Sequence, residues 1–166
     1  MNITRWHNRN EILDFPIGAY VKIREDLQPN KRYGVNSTNR CMPYYAGITT
    51  QVGHIVRGDS GIAQYLLQAD GLTWFWTKEM LERAHPDGVK ANKKIIVGDT
   101  VAIRDDLIVG EVYGNMTFSR GMVGYMGQTA RIEDAVQDDT YAFFILDNES
   151  TDWWAPEMLI KLEAEQ

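Results

Sequence analysis

The sequence predicts a mainly β fold of two tandem small barrels, each ending in a short helical turn. Three observations support it: the chain repeats itself, its apolar residues alternate with a period of two, and Gly, Asp and Asn punctuate the alternating runs. "GAYVKIREDL" from Gly18 returns as "GDTVAIRDDL" from Gly98, an offset of 80 (98 − 18). The same offset pairs Arg24 with Arg104, Tyr33 with Tyr113, Gly34 with Gly114, Arg40 with Arg120 and Tyr45 with Tyr125. Towards the end of each copy the offset becomes 78 (154 − 76), pairing Trp76 with Trp154, Glu79 with Glu157, Met80 with Met158 and Leu81 with Leu159. "TWFWTKEML" at 73–81 is therefore answered by "TDWWAPEML" at 151–159.

The elements follow in order. Residues 1–17 form an N-terminal extension in which Trp6, Ile12, Leu13 and Phe15 are expected to bury. The first copy spans 18–83. In "YVKIR" Val21 and Ile23 share one face of a strand, and a long loop follows. "GITTQVGHIV", "AQYLLQA" and "TWFWT" supply further strands, the last placing Trp74 and Trp76 on one face and Phe75 on the other. Residues 84–97, with Pro, Gly and three Lys in "AHPDGVKANKK", read as a linker. The second copy, 98–163, repeats the pattern with "VAIR", "GQTARIEDAV", "YAFFILD" and "DWWA". Several short strands with one long loop and a closing helical turn fit a small SH3-like barrel, which also removes exposed sheet edges.

With these residues in place, both copies resemble the SH3-like repeat of Mind bomb ubiquitin ligases, which also occurs in small bacterial and phage proteins. The resemblance is carried by the opening Gly (followed by Asp in the second copy), by the Ile-Arg and Asp-Leu pairs, by "YG" at 33 and 113, and by the closing Trp and "EML". The first copy departs from it at Thr38, where the second has Phe118, and at Pro29 and Asn30, where the second has Val109 and Gly110. The resemblance implies a domain that binds a peptide or protein, separate from the RING domains that transfer ubiquitin. A chain with Cys41 alone holds no RING domain.

Composition narrows the function further. A formal net charge of −6 disfavours nucleic acid, whose affinity depends on clustered Lys and Arg. The single cysteine points to a reducing compartment, and with no leader-like segment and no run near the ~18 apolar residues of a membrane span the expectation is a cytoplasmic protein. Catalysis finds no support. His7, His54 and His85 lack metal-ligand spacing, no Ser-His-Asp or Cys-His set stands out, and "SRGMVGYMG" lacks the Lys-Ser/Thr ending of a phosphate loop. No metal, cofactor or catalytic residue is expected.

The candidate ligand-contacting residues are duplicated Arg and Tyr side chains. Arg24 and Arg104 each stand two positions before an Asp, which suits an internal bidentate pair as well as a partner's carboxylate or phosphate. Arg40 and Arg120 lie in the long loops with Tyr33, Tyr44, Tyr45, Tyr113 and Tyr125, whose flat faces and hydroxyls suit peptide grooves. Trp74 has no counterpart, since Asp152 occupies its place, and is the better contact candidate. Trp76, Trp154, Met80, Met158, Leu81 and Leu159 are expected to be scaffold. The resulting expectation is a non-catalytic adaptor or inhibitor that recognises a peptide or protein surface through the long loops and an inter-barrel groove. Capture of a small phosphorylated molecule or nucleotide between the barrels is the alternative.

Overall fold

A computed structural model describes residues 14–59 and 61–163. The fold is mainly β, and the chain divides between Lys93 and Lys94 into two compact units. In the first unit the strands are β1 (Tyr20–Ile23), β2 (Arg32–Tyr33), β3 (Asn36–Ser37), β4 (Thr49–Arg57), β5 (Ala63–Leu67) and β6 (Leu81–Arg83). In the second they are β7 (Thr100–Ile103), β8 (Val112–Tyr113), β9 (Met116–Thr117), β10 (Thr129–Ala135), β11 (Phe144–Leu146) and β12 (Leu159–Lys161). The order β5-β4-β1-β6 recurs as β11-β10-β7-β12, with every pair antiparallel, and β2-β3 and β8-β9 form separate hairpins. The duplication in the sequence is thus a duplication of topology.

Period two decides the core. Val21 and Ile23 of β1, and Val101 and Ile103 of β7, alternate inward and are buried, while Tyr20, Lys22 and Ala102 between them stay partly accessible. The long strands β4 and β10 pair with β1 and β7 over their first halves and with β5 and β11 over their second. A register shift falls at Val52/His54 in β4 and at Ile132/Asp134 in β10, the same place in each copy. Such bulges bend a strand, which lets one strand serve two directions of the sheet.

The aromatic strings at 73–77 and 152–155 are not strands. Each contributes a single bridge, Trp76 to Tyr65 and Trp154 to Phe144. Within the first string Trp76 is fully buried, Trp74 half-buried and Phe75 exposed. Side-chain oxygens have taken the N–H groups that a ladder would use. Asp70 accepts from the backbone N–H of Thr73 (3.1 Å) and of Trp74 (3.3 Å), and Ser150 Oγ accepts from Asp152 N–H (3.1 Å). Leu72 and Glu149 at φ 62° and 66° complete the turns.

Beyond each bridge a single 3₁₀ turn, Lys78–Met80 or Pro156–Met158, leads into β6 or β12 on the far edge of the same sheet. One segment therefore touches both edges. Trp76 and Trp154, with Met80 and Met158 of these turns, have no exposure. At about 25 cal/mol per Å², burying roughly 200 Å² of indole contributes about 5 kcal/mol for each Trp.

The flanking residues are also built in. Phe15 is buried edge-on to Tyr65 (5.5 Å between centroids), under the guanidinium of Arg83. The expected burial of Trp6, Ile12 and Leu13 lies outside the described residues. Part of the stretch read as a linker is folded: Pro86–Val89 form a 3₁₀ turn, and Asn92 exchanges two hydrogen bonds with the backbone of Thr49 (2.9 and 2.8 Å). A Cβ at Gly88 would come 2.7 Å from Thr49 Oγ1, so that turn sits tightly on β4. Ile95 and Ile96 are buried.

The two indole N–H groups find different acceptors. Trp76 Nε1 donates to the carboxylate of Asp70 (2.8 Å), which is wholly buried, whereas Trp154 Nε1 donates to Ser150 Oγ (3.4 Å). Burial pushes the Asp70 carboxyl up to about 6, against the pull of Trp76 and of the Thr73 and Trp74 N–H groups. A carboxyl raised in the folded state binds its proton more tightly there than in the unfolded chain, so its contribution falls as pH rises from about 4 to about 6 and is level above that. The stability of the wild type relative to Asp70→Asn should drop by about 2 kcal/mol between pH 4 and pH 7. Hydrogen exchange of β4 and β5 in the full chain, read by mass spectrometry at both pH values, checks this. A difference that does not change with pH would show that the carboxyl is not raised.

Candidate binding loops

Each unit carries its long loop between the first strand and the long strand, at 24–48 and 104–128, and the hairpin β2-β3 or β8-β9 lies inside it. The hairpin turns are built by the Tyr-Gly pairs. Gly34 has φ 68°, while Gly114 and Asn115 have φ 53° and 77°, values that a two-residue hairpin turn requires. Tyr33 and Tyr113 fold back over the loop start, where each hydroxyl accepts a backbone N–H at 3.0 Å, from Gln28 and Ile108. Tyr33 is buried and Tyr113 half-buried. The carboxylates of Glu79 and Glu157 lie directly against Gly34 and Gly114, leaving no room for a Cβ.

Arg24 and Arg104 are braces. Arg24 grips Asp26 with two bonds (3.0 and 2.8 Å) and donates to the backbone carbonyl of Glu79 (3.0 Å). Arg104 does the same with Asp106 (2.9 and 2.9 Å) and Glu157 (2.9 Å), and its guanidinium lies 5.5 Å from the Tyr113 ring centre. Hydrogen bonding to Arg24 and Arg104 holds the Asp26 and Asp106 carboxyls below their usual range, and the guanidinium groups are raised in return. These arginines tie the loop start to the closing 3₁₀ turn, and their charge is committed within the unit.

Arg40 and Arg120 differ from them. Both are exposed, and among the described residues neither side chain makes a hydrogen bond or an ion pair. Each stands where a 3₁₀ turn begins, Met42–Tyr45 after Arg40 and Arg120–Tyr125 itself. Those turns are held by Asn39, whose Oδ1 accepts from the N–H of Cys41 and Met42 (2.9 and 2.8 Å), and at the equivalent position by Ser119, whose backbone carbonyl accepts from the N–H of Met122 (3.1 Å). Tyr45 is buried edge-on to Trp76 (6.2 Å) and is scaffold. Tyr44, half-buried and edge-on to Tyr45 (5.1 Å), and Tyr125, half-buried beside Trp154 (6.1 Å), keep accessible area near the two arginines in sequence.

The sequence departures also find a physical basis. Phe118 is fully buried beneath the hairpin, and Thr38 in its place is buried too, its hydroxyl accepting from Lys31 N–H (3.1 Å) and donating to the carbonyl of Gln28. Asn30 at φ 55° does the work of Gly110 at φ 90°. Trp74 is less open than expected, with its indole N–H buried and without an acceptor among the described residues. Sequence reasoning overlooked Asp70, whose signal was the Asp-Gly pair at 70–71. It also overlooked Phe75 and Trp153, exposed aromatics that share the offset of 78 (153 − 75).

Among the described residues no group of three His, Cys, Asp or Glu side chains is placed to hold a metal ion, and no helix is long and apolar enough to cross a membrane. A cavity of about 380 Å³ in the first unit is lined by Asp14, Phe15, Lys78, Glu79, Leu81 and Arg83, with none of the sequence-predicted ligand residues in it. No protein-family model matches this chain, and no curated protein matches it.

If the division between braces and free arginines is right, Arg24→Ala and Arg104→Ala each lower the thermal midpoint by a few degrees. Arg40→Ala and Arg120→Ala leave it within about 1 °C, as exposed substitutions do. Differential scanning calorimetry of the four variants separates the two classes, and a stability loss at Arg40 or Arg120 would make them structural as well.

Proposed function

We propose that this protein is a non-catalytic binding protein, an adaptor or inhibitor, that engages a peptide or protein surface through its two long loops. The observation that carries the reading is the repeated free guanidinium. Arg40 and Arg120 occupy equivalent places, are exposed and have no side-chain partner among the described residues, beside turns that carry Tyr44 and Tyr125. A planar fork of donors next to a tyrosine face recognises carboxylates and peptide carbonyls. We further propose that each unit is an SH3-like barrel of the kind that the Mind bomb repeats resemble. What supports this is the segment that bridges β5 through Trp76, turns once and joins β1 through β6, together with its copy in the second unit.

The test is a capture experiment with the full chain and the double variant Arg40→Ala, Arg120→Ala, with proteins and released small molecules both read by mass spectrometry. A protein retained stoichiometrically by the wild type and lost from the variant is the expected result. Retention that ignores the variant removes the loops from the interface. A stoichiometric phosphorylated metabolite without a protein would replace this reading by small-molecule capture.

A further inference from the structure

The second unit exposes aromatic rings that the loops do not use. Tyr141 is 41% and Trp153 44% exposed, and the buried ring of Phe143 lies between them. Its centroid is 6.1 Å from that of Tyr141 and 5.9 Å from that of Trp153, with the Phe143 and Trp153 planes only 31° apart. The three rings make a continuous shelf. Large aromatics at the surface of a folded unit, contiguous and backed by a buried ring, mark a contact surface more than a structural need.

The stretch of chain that carries the shelf bears charge of one sign. From Ile132 to Ile160 there is no Lys, Arg or His, and the ionisable side chains other than Tyr141 are all carboxylates. Three of these are fixed to the shelf by the chain itself. Asp138 accepts the backbone N–H of Thr140 (2.8 Å) and of Tyr141 (3.1 Å), Asp139 is exposed next to it, and Asp152 adjoins Trp153 while its Oδ2 accepts from Ser150 Oγ–H (3.2 Å). None of the three has a cationic partner among the described residues. The first unit lacks the combination. Taking Tyr65 and Phe144 as equivalents through their bridges to Trp76 and Trp154, its counterparts are Ile62, Gln64 and Phe75. The charges nearby are mixed, with His54, Arg57 and Lys78 among them.

We infer that the Tyr141–Phe143–Trp153 shelf is a docking surface for an arginine-bearing, cationic peptide segment of a protein partner. A guanidinium stacks on an indole or phenol face through its own plane and is attracted by the ring's quadrupole. The carboxylates of Asp138, Asp139 and Asp152 then meet its donors at the rim, where opposite charge raises the rate of encounter and fixes orientation. Arginine fits better than lysine, whose compact, strongly hydrated ammonium stacks less well. This surface goes beyond the loop reading and uses none of its residues.

The test uses the full chain and a short fluorescein-labelled peptide of alternating arginine and alanine, followed by anisotropy, with a glutamate-alanine peptide as the charge-reversed control. The arginine peptide should bind and the glutamate peptide should not. Trp153→Ala, which leaves the protein's charge unchanged, should weaken binding about fivefold or more. Asp138→Asn with Asp139→Asn should weaken it and flatten its salt dependence, and Phe75→Ala should have no effect. Tyr141→Ala and Asp139→Asn, both at exposed positions, carry the test if Trp153→Ala unfolds. Equal binding by the wild type and the aromatic variants would show charge attraction alone and overturn the inference, as would no binding up to about 1 mM, the weak limit of specific recognition. Loss in Arg40→Ala, Arg120→Ala with retention in Trp153→Ala would place the peptide on the loops instead. Because those loop variants leave the shelf intact, the two readings fail separately.

Discussion

Each unit depends on one backbone exchange, the pair of hydrogen bonds between Trp76 and Tyr65 and its repeat between Trp154 and Phe144. The exchange fastens the last segment of the unit to one edge of the sheet, and the 3₁₀ turn that follows delivers the same segment to the opposite edge. The indole carried by that segment is wholly buried. The Arg24 and Arg104 braces terminate on the carbonyls of Glu79 and Glu157 in those turns, and the Tyr-Gly hairpins pack against the side chains of the same two glutamates. The loops are therefore mounted on the closing segment, and their shape follows from its position.

Much of this could be read from residues alone, for identifiable reasons. β1, β4, β5 and their copies are periodic and buried on one side, so alternation exposes them. The Arg-Asp spacing at 24 and 26 suits a bidentate grip on a short extended stretch, and Gly34 and Gly114 follow tyrosines where only a turn fits. The strings at 73–77 and 152–155 misled because aromatic alternation is shared by strands and by turns packed on a core. What separates the two is a side-chain acceptor upstream, Asp70 or Ser150, and period counting is blind to acceptors. Exposure was equally hidden among the tyrosines: Tyr44 and Tyr45 are neighbours in one 3₁₀ turn, and their different burial comes from the Trp76 ring beneath.

The copies have diverged in chemistry while keeping their topology. One satisfies its indole with a buried carboxylate and the other with a hydroxyl. Along the chain, one copy mixes cations and carboxylates near its exposed aromatic, and the other carries carboxylates only. Under the binding role proposed above, unlike surfaces on a duplicated scaffold suit two different contacts, and linking them would raise the effective concentration of the second.

The exchange of Thr38 for Phe118 bears on how such a chain finds its fold. Tandem copies of one sequence are prone to trade equivalent elements during folding, because each hairpin meets a second receptor of the same outline. Here the receptors differ in kind. The hairpin carrying Phe118, placed in the first unit, would press a phenyl ring into the smaller buried space that the Thr38 side chain fills. The hairpin carrying Thr38, placed in the second, would bring a hydroxyl and a void where a buried ring belongs. Each wrong docking is thus penalised by a different mechanism, and the two halves of a repeated chain are kept from mistaking one another.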